Sequence, residues 1–141
     1  MYDVRLIAKY VIHRCAQNGR PISNLKLQKI LYFIQAELLV STNQPCFKDD
    51  IEAWSSGPVV PAAYFEFMIF GDTNLPDQGN DGFDAIAEKD KDRLNAIISD
   101  AAKYSASQLA EITHNQRPWK DAYKRRSKII EKAEIREYFA S

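Results

Sequence analysis

The sequence has few of the residues that mark secreted or membrane-spanning proteins. It contains only two cysteines, Cys15 and Cys46, too few for the disulfide framework of a small secreted domain. Its longest apolar run covers residues 30–34, far short of the roughly 20 residues that cross a bilayer. The first residues enter an amphipathic pattern directly, without an apolar signal segment. We therefore expect a soluble, cytoplasmic protein with reduced thiols and no membrane contact.

Signatures of catalysis and of metal binding are also missing. The four soft metal ligands, His13, Cys15, Cys46 and His114, lack the close paired spacing that a zinc site needs. There is no phosphate-binding glycine loop, dinucleotide fingerprint or nucleophile elbow. The acidic residues fall mostly in predicted loops or on exposed helix faces, so no carboxylate pair stands out for acid–base chemistry. The sequence predicts a protein that is not an enzyme and that uses no metal or cofactor.

The composition that is present is typical of one globular domain. Of 141 residues, 45% are hydrophobic and 27% are charged, which is enough apolar material for a buried core. Lysine and arginine together equal aspartate and glutamate at 19 each, so no global field attracts nucleic acid. The charges are nevertheless segregated. Residues 72–92 hold seven acidic and two basic residues, whereas residues 117–132 hold seven basic and two acidic residues.

Apolar periodicity predicts an all-α fold. Spacings of three and four residues indicate a first helix over about residues 3–18, with Asp3 as its N-cap. A second helix begins near Ser23, reaches about residue 40 and is apolar on more than one side, as expected of a central helix. Further helices are predicted after Pro61, around Leu94 and before His114, followed by a helical turn at Pro118 and a tail helix over about residues 131–139.

Two segments depart from the helical pattern. Residues 44–47 and 51–54 flank residues 48–50 and predict a small hairpin. Residues 72–85, rich in Asp, Asn and Gly, indicate a mobile surface loop. The resulting prediction is a compact single domain over residues 1–141, a bundle of about five to seven helices with a small β-hairpin.

The second helix supplies the first candidate binding residues. Lys26, Lys29 and Phe33 fall on its third side, together with Glu37. One interpretation lets the lysine stems cover core residues while their charged heads stay in water. The other makes this side a partner-binding ridge with Phe33 as the anchor, because aromatic residues among charges are typical of interfaces. The sequence favours neither.

Two later segments supply the other candidates. Trp54 is followed by a loop with Gly57 and Pro58, and this group either shapes the core or forms a protruding binding loop. His114 is expected at a helix C-terminus, where a cation or donor is favourable, and alternatively forms a recognition surface with Arg117 and Trp119. The basic residues 117–132 form either a solvated surface or a patch for an acidic partner or nucleic acid.

Three segments together resemble one known family. Residues 22–33 (ISNLKLQKILYF) are similar to its first signature, a Lys-Leu-x-Lys-Leu-Leu-Tyr type of helix. Residues 52–64 (EAWSSGPVVPAAY) resemble its Ala-Trp-x-x-Gly-Pro-Val segment. Residues 109–119 resemble its Leu-x-x-Thr-His run followed by Pro-Trp. The family is the Panacea domain, also described as SocA-like or as phage-associated genetic-element protein A.

The resemblance implies an antitoxin, encoded in many relatives by prophages or mobile elements, that neutralises a cognate protein toxin by direct binding. The resemblance also implies an alternative, an adaptor that delivers the toxin to a Clp-type protease. The basic residues 117–132 suggest a different alternative, a nucleic-acid-binding regulator. Nucleic acid is the weaker candidate because no recognition helix is apparent. The oligomeric state is left open. The partner-binding candidates are Lys26, Lys29, Phe33, Trp54, Gly57, Pro58, His114, Arg117 and Trp119.

Overall fold

Seven α-helices and one small sheet make up the computed structural model, which describes residues 1–141. The helices are α1 Val4–Gln17, α2 Asn24–Thr42, α3 Pro61–Phe67, α4 Glu88–Ala101, α5 Ala106–His114, α6 Arg117–Lys124 and α7 Lys132–Ala140. The strands are β1 Ile51–Trp54, β2 Gly57–Val59 and β3 Ile129–Ile130. The predicted all-α fold with a minor β element is confirmed.

Helix α2 is the central element, as its two apolar sides predict. It packs against α1, α3, α4, α5, α7 and β2, and twelve of its residues are buried. The Ser23 side chain accepts a hydrogen bond from the Lys26 backbone N–H and so caps its first turn. The helix ends at Thr42, and the next residue, Asn43, caps it in the left-handed conformation with φ 61°.

Local capping signals place the other helix starts correctly. The Asp3 carboxylate accepts from the Arg5 backbone N–H at 2.9 Å, at the predicted start of α1. Ser105 and Gln108 form a reciprocal capping box before α5. Pro61 lies in the first turn of α3, where its missing N–H and fixed φ are tolerated. These helices therefore begin within a few residues of their predicted bounds.

The predicted hairpin is in the wrong place. In the structure the hairpin turn lies at residues 55–56 and joins β1 to β2, with Trp54 paired to Gly57. Residues 48–50, where the turn was predicted, precede the sheet. Cys46 and Phe47 form no strand, because the buried Gln35 amide oxygen accepts from their backbone N–H groups at 2.8 and 3.3 Å. A side chain of α2 therefore takes the backbone donors that a strand would use.

The third strand was not predicted. Ile129 and Ile130 add antiparallel to β1, giving the order β2-β1-β3, so β1 is the central strand. Arg125 holds the approach to this strand through a two-pronged pair with Glu134, at 2.6 and 2.9 Å, and a bond to the Ile129 carbonyl. The Arg125 guanidinium lowers the pKa of the Glu134 carboxyl. This pair ties α7 to the end of α6.

The acidic segment between α3 and α4 is irregular, as predicted, but it is attached to the domain. Leu75, Phe83 and Ile86 are buried, and the Leu75 N–H bonds the Ile22 carbonyl at 2.8 Å. His13 contacts the Asp77 carboxylate at 3.0 Å. Three apolar residues therefore pin the segment to the core. No helix in the structure is long and apolar enough to cross a bilayer.

Candidate partner-binding face

Buried amides on α2 hold the segment that follows it. The Asn24 amide nitrogen donates to the Tyr64 carbonyl at 3.1 Å, and the Gln28 amide oxygen accepts from the Val60 N–H at 2.9 Å. The Gln28 nitrogen in turn donates to the Asn24 oxygen at 2.8 Å. Because these amides are buried and paired, they fix the start of α3 relative to α2.

Lys29 belongs to the same group of contacts, which corrects the expectation of a lysine head in water. Its side chain is fully buried, and its Nζ donates to the Pro58 carbonyl at 3.0 Å. Burial disfavours the ammonium form and lowers the pKa of Lys29 to about 7. No carboxylate pairs with the buried Lys29 amine. The amine holds the β1–β2 hairpin through its hydrogen bond to the Pro58 carbonyl. Lys29 therefore holds the loop from the interior of the domain.

Gly57 is required by this close packing. Its φ of +112° lies where side chains are rarely tolerated. A Cβ at this position would stand 2.7 Å from Lys29 Cε and 3.1 Å from Thr113 Oγ1. Lys29, Gly57 and Thr113 come from the three separate signature segments of the sequence. Their meeting point shows that these signature residues share one internal packing contact.

The connection between α5 and α6 is also fixed from α2. The buried Tyr32 hydroxyl donates to the Gln116 side-chain oxygen at 2.7 Å, and burial raises the pKa of Tyr32. Thr113 is buried and donates to the Ala110 carbonyl at 2.7 Å. These contacts fix Thr113 and Gln116, and so set the positions of His114 between them and of Trp119 three residues further on.

An aromatic stack joins α6 to the hairpin. The Trp119 indole N–H donates to the Trp54 carbonyl at 2.9 Å. The centre of the Trp119 ring lies 4.1 Å from that of His114, and Trp119 also stacks on Tyr123 with 4.6 Å between the ring centres. His114 is the last residue of α5, as predicted, and its Nε2 is enclosed without a hydrogen-bond partner in the protein.

A second aromatic cluster lies on the other side of Trp54. The Trp54 ring meets the Tyr64 ring edge-on at 5.0 Å, and the Phe65 ring lies 5.6 Å from Tyr64. The Trp54 indole N–H donates to the Glu52 carboxylate at 2.9 Å. Trp54 therefore connects the two clusters, through its carbonyl to Trp119 and through its ring to Tyr64.

Beyond this cluster the surface is apolar and open to solvent. Phe65 is 58% exposed, Met68 52% and Ile69 84%, and Met68 and Ile69 follow Phe65 by three and four residues. Large hydrophobic side chains that are so exposed and so close in the chain are typical of interaction surfaces. We use the name apolar face for the following residues: Trp54, Tyr64, Phe65, Met68, Ile69, Trp119 and Tyr123.

Cations border the Trp119 end of the apolar face. Lys120, Lys124 and Arg126 are exposed, and none of them lies within 4.0 Å of a carboxylate. The neighbouring bases are already engaged. Arg125 pairs with Glu134, whereas Lys128 stands 4.6 Å over the Tyr123 ring and donates to the Tyr123 carbonyl.

The structure brings together only some of the predicted binding residues. Trp54, His114 and Trp119 meet at the surface, as described above. Gly57 and Pro58, like Lys29, are buried beneath it. Lys26 lies elsewhere, against Cys15 and Ile22, and burial lowers its pKa.

Phe33 and Arg117 also lie apart from the apolar face. Phe33 packs edge-on against Tyr32 and Phe139, on the α7 side of α2. Arg117 borders a polar cleft with acidic residues of α6 and α7, which are Asp121, Glu134 and Glu137. The predicted ridge of Lys26, Lys29 and Phe33 is therefore not one continuous surface. Whether any of these residues contacts a partner stays a prediction.

Sequence reasoning missed the residues that make the apolar face broad. The pattern after Pro61 predicts a third helix that runs through Phe65, Met68 and Ile69 and ends at Gly71, whereas α3 ends at Phe67 and a single 3-10 turn follows. The sequence predicts Tyr123 in the turn of helix that Pro118 opens, without a surface role. Their positions carry no sequence signal for a surface role, because apolar residues at helical spacing are expected to be buried.

The fold and this face define a small, mostly helical domain that presents a supported aromatic surface. A family model described as "Antitoxin SocA-like, Panacea domain" matches residues 27–120. The chain is 30% identical over 128 residues to the protein named Antitoxin SocA of Caulobacter vibrioides (strain NA1000 / CB15N), covering 83% of this chain and 68% of that protein. No solved structure matches the chain. The chain belongs to the SocA-like, Panacea-domain antitoxin family.

Proposed function

We propose that this chain neutralises a cognate protein toxin by binding it directly through the apolar face, without catalysing a reaction. Membership of an antitoxin family supports an antitoxin-like role. The observation that carries the binding mode is the exposure of Phe65, Met68 and Ile69 beside the Trp54 and Trp119 clusters. A partner that covered them would remove apolar area from water, the main favourable contribution to association.

The support beneath the face favours a preformed binding surface. Asn24, Gln28 and Lys29 each hold a backbone group of the segment that carries Trp54 and Phe65. Trp119 is tied to the same segment through its indole N–H. A surface that is already ordered loses little conformational freedom on binding, so more of the contact energy appears as affinity.

Aromatic composition is a second reason to place the partner here. Trp and Tyr are the residue types most enriched among those that dominate interface energies, and the face contains two of each. Each of the four has an apolar ring and a polar group, which suits a surface that must be wet when free and covered when bound. Both indole N–H groups already bond within the protein, so the Tyr64 and Tyr123 hydroxyls are the polar groups of these four residues that remain for a partner.

Two finer predictions belong to the same proposal. The toxin is cognate, encoded beside the antitoxin, and both proteins act in the cytoplasm. Delivery of the bound toxin to a Clp-type protease is a further step, which predicts a ternary complex of antitoxin, toxin and unfoldase. Faster toxin degradation when this chain is present would support that step, and an unchanged toxin half-life would exclude it.

Co-expression tests the proposal. The product of the adjacent gene is induced with or without this chain from a separate promoter, and growth and co-purification are scored. We expect the product to arrest growth alone, and this chain to restore growth and to purify with it. A toxic neighbour that is neither bound nor suppressed, or a harmless neighbour, would contradict the proposal.

A further inference from the structure

We infer that the toxin surface recognised by the apolar face is acidic at one edge, where its carboxylates pair with Lys120, Lys124 and Arg126. This inference rests on the proposed function and adds the chemistry of the partner. The occupant is a protein surface with an apolar centre, which covers Ile69 and Tyr123, and a border of Asp or Glu side chains.

The three cations lie close to the apolar face, and their side chains hold no part of the fold. Lys120 directly follows Trp119 in α6, Lys124 directly follows Tyr123, and Arg126 lies just past the end of α6. None of their side chains forms an ion pair or a hydrogen bond within the protein. Helix α6 packs against β1, the strand that ends at Trp54, so these cations stand beside the Trp54–Trp119 junction.

The free domain gains nothing from this arrangement. Lys120 and Lys124 are four residues apart on α6, a spacing at which like charges repel and destabilise a helix. Asp121 lies between them in sequence, yet it is not within 4.0 Å of either ammonium group. By contrast, Arg125 and Lys128 are both used to hold the fold. Carboxylates from a partner would relieve the repulsion and pair all three free cations.

A protein fits this surface better than a nucleic acid. Glu52 accepts from the Trp54 indole N–H within the apolar face, so a phosphate backbone, which is anionic along its whole length, meets repulsion there, whereas a protein surface can carry its carboxylates at one edge only. The face has aromatic rings, but its most exposed side chain, Ile69, is aliphatic and offers no plane on which a base could stack. The whole chain has no net charge, whereas nucleic-acid-binding domains usually carry a broad positive excess. Nucleic acid binding is therefore an outcome of the test.

Association kinetics test the inference with charge-matched variants. The double variant K120E/K124E is compared with the control R5E/K89E, which makes the same change in net charge at two exposed, unpaired bases on α1 and α4. Binding of the purified adjacent-gene product is followed over a series of salt concentrations. Both variants should fold, because the changed side chains are exposed, and circular dichroism verifies this.

We expect K120E/K124E to lower the association rate constant about tenfold or more at low salt and to flatten its salt dependence, because charge complementarity acts mainly on association. The control should stay within about twofold of the wild type. Equal effects of both variants, or no effect, would overturn the inference while leaving the proposed function intact.

Two other outcomes are distinguishable from that one. A wild-type chain that does not bind the adjacent-gene product refutes the proposed function, and this inference with it. Wild-type binding to a duplex DNA or single-stranded RNA oligonucleotide that K120E/K124E abolishes, with toxin association unchanged, assigns the cations to nucleic acid and overturns the inference alone. Neutral substitution in K120Q/K124Q should give an intermediate association rate if carboxylates are the partners.

Discussion

At the scale of single residues, Lys29 is the least expected feature of the molecule. A lysine on the side of α2 that also carries Lys26 and Glu37 predicts an exposed charged head, yet at Lys29 the helix is covered by the β1–β2 hairpin. Its single hydrogen bond, to the Pro58 carbonyl, satisfies a buried acceptor on the backbone of a residue that has no N–H to offer. This hydrogen bond stabilises the hairpin, whereas the burial of an amine lowers the stability of the fold.

Burial of Lys29 predicts a pH dependence of stability. Its pKa is about 7 in the folded protein, against an ordinary value of 10.5, so between these values only the unfolded chain holds the proton. The free energy of unfolding should therefore rise with pH in this window, by about 1.4 kcal/mol per unit from this group, and be lowest below pH 7.

Urea unfolding at a series of pH values measures this slope. The variant K29M keeps most of the stem volume but cannot titrate, so its free energy of unfolding should lack the Lys29 contribution between neutral and alkaline pH. The control K89M removes an exposed lysine and should retain the wild-type slope. Identical slopes in K29M and the wild type would show that Lys29 is not buried as described.

Gly57 gives a second prediction at this scale. The variant G57A adds a methyl group against Lys29 Cε at a φ of +112°, so backbone strain and overpacking add together. We expect the free energy of unfolding to fall by about 2–4 kcal/mol. The control G79A also has a positive φ, but nothing lies within 4 Å of its new methyl group. A loss in G57A no larger than that in G79A would contradict the close packing.

At the scale of elements, the hairpin and α6 behave as one unit because Trp119 joins them. The variant W119F keeps an aromatic ring in the stack but removes the donor to the Trp54 carbonyl. We expect a loss of about 1 kcal/mol in the free energy of unfolding and faster hydrogen exchange of the β1 and β2 amides. Calorimetry and exchange mass spectrometry measure the two effects.

The matched control for W119F is Y123F in the same stack. The Tyr123 ring stacks on Trp119 at 4.6 Å, so its phenylalanine variant should keep both the stack and the indole hydrogen bond, with exchange of β1 and β2 unchanged. Equal acceleration in Y123F and W119F would mean that ring packing, and not the indole hydrogen bond, joins α6 to the hairpin.

The helices could be predicted from the sequence because their signals are local. Caps at Asp3, Ser23 and Ser105 lie within three residues of the N–H groups that they satisfy. The sheet could not be predicted in the same way. The pairing of Ile51 with Ile130 joins residues far apart in sequence, and strands of two to four residues carry little periodicity.

The candidate site shows the same division between local and non-local signals. Resemblance of three segments to one family pointed to Trp54, His114 and Trp119, and the structure brings them together at the surface. It could not show which signature residues are exposed, because burial of Lys29 and Gly57 depends on contacts between distant segments. Surface residues without a pattern, such as Ile69, carry no sequence signal for a binding role.

At the scale of the whole molecule, the domain is a helical core whose internal hydrogen bonds support the apolar face. The α2 helix supports the hairpin, α3 and the α5–α6 connection from within, and all three end at the apolar face. Relatives with the same internal contacts could bind different toxins if they differ at exposed positions such as Phe65 and Ile69. The core would then set the shape of the surface, and the exposed residues would set its choice of partner.

The dissociation constant of the complex with the adjacent-gene product, measured for I69D and V40D, tests the central claim most directly. Both residues are exposed apolar side chains, Ile69 on the apolar face and Val40 near the end of α2. We expect each variant to unfold within about 0.5 kcal/mol of the wild type, I69D to bind at least about tenfold more weakly, and V40D to bind normally. Wild-type affinity in I69D, or equal weakening in V40D, would contradict toxin binding through the apolar face.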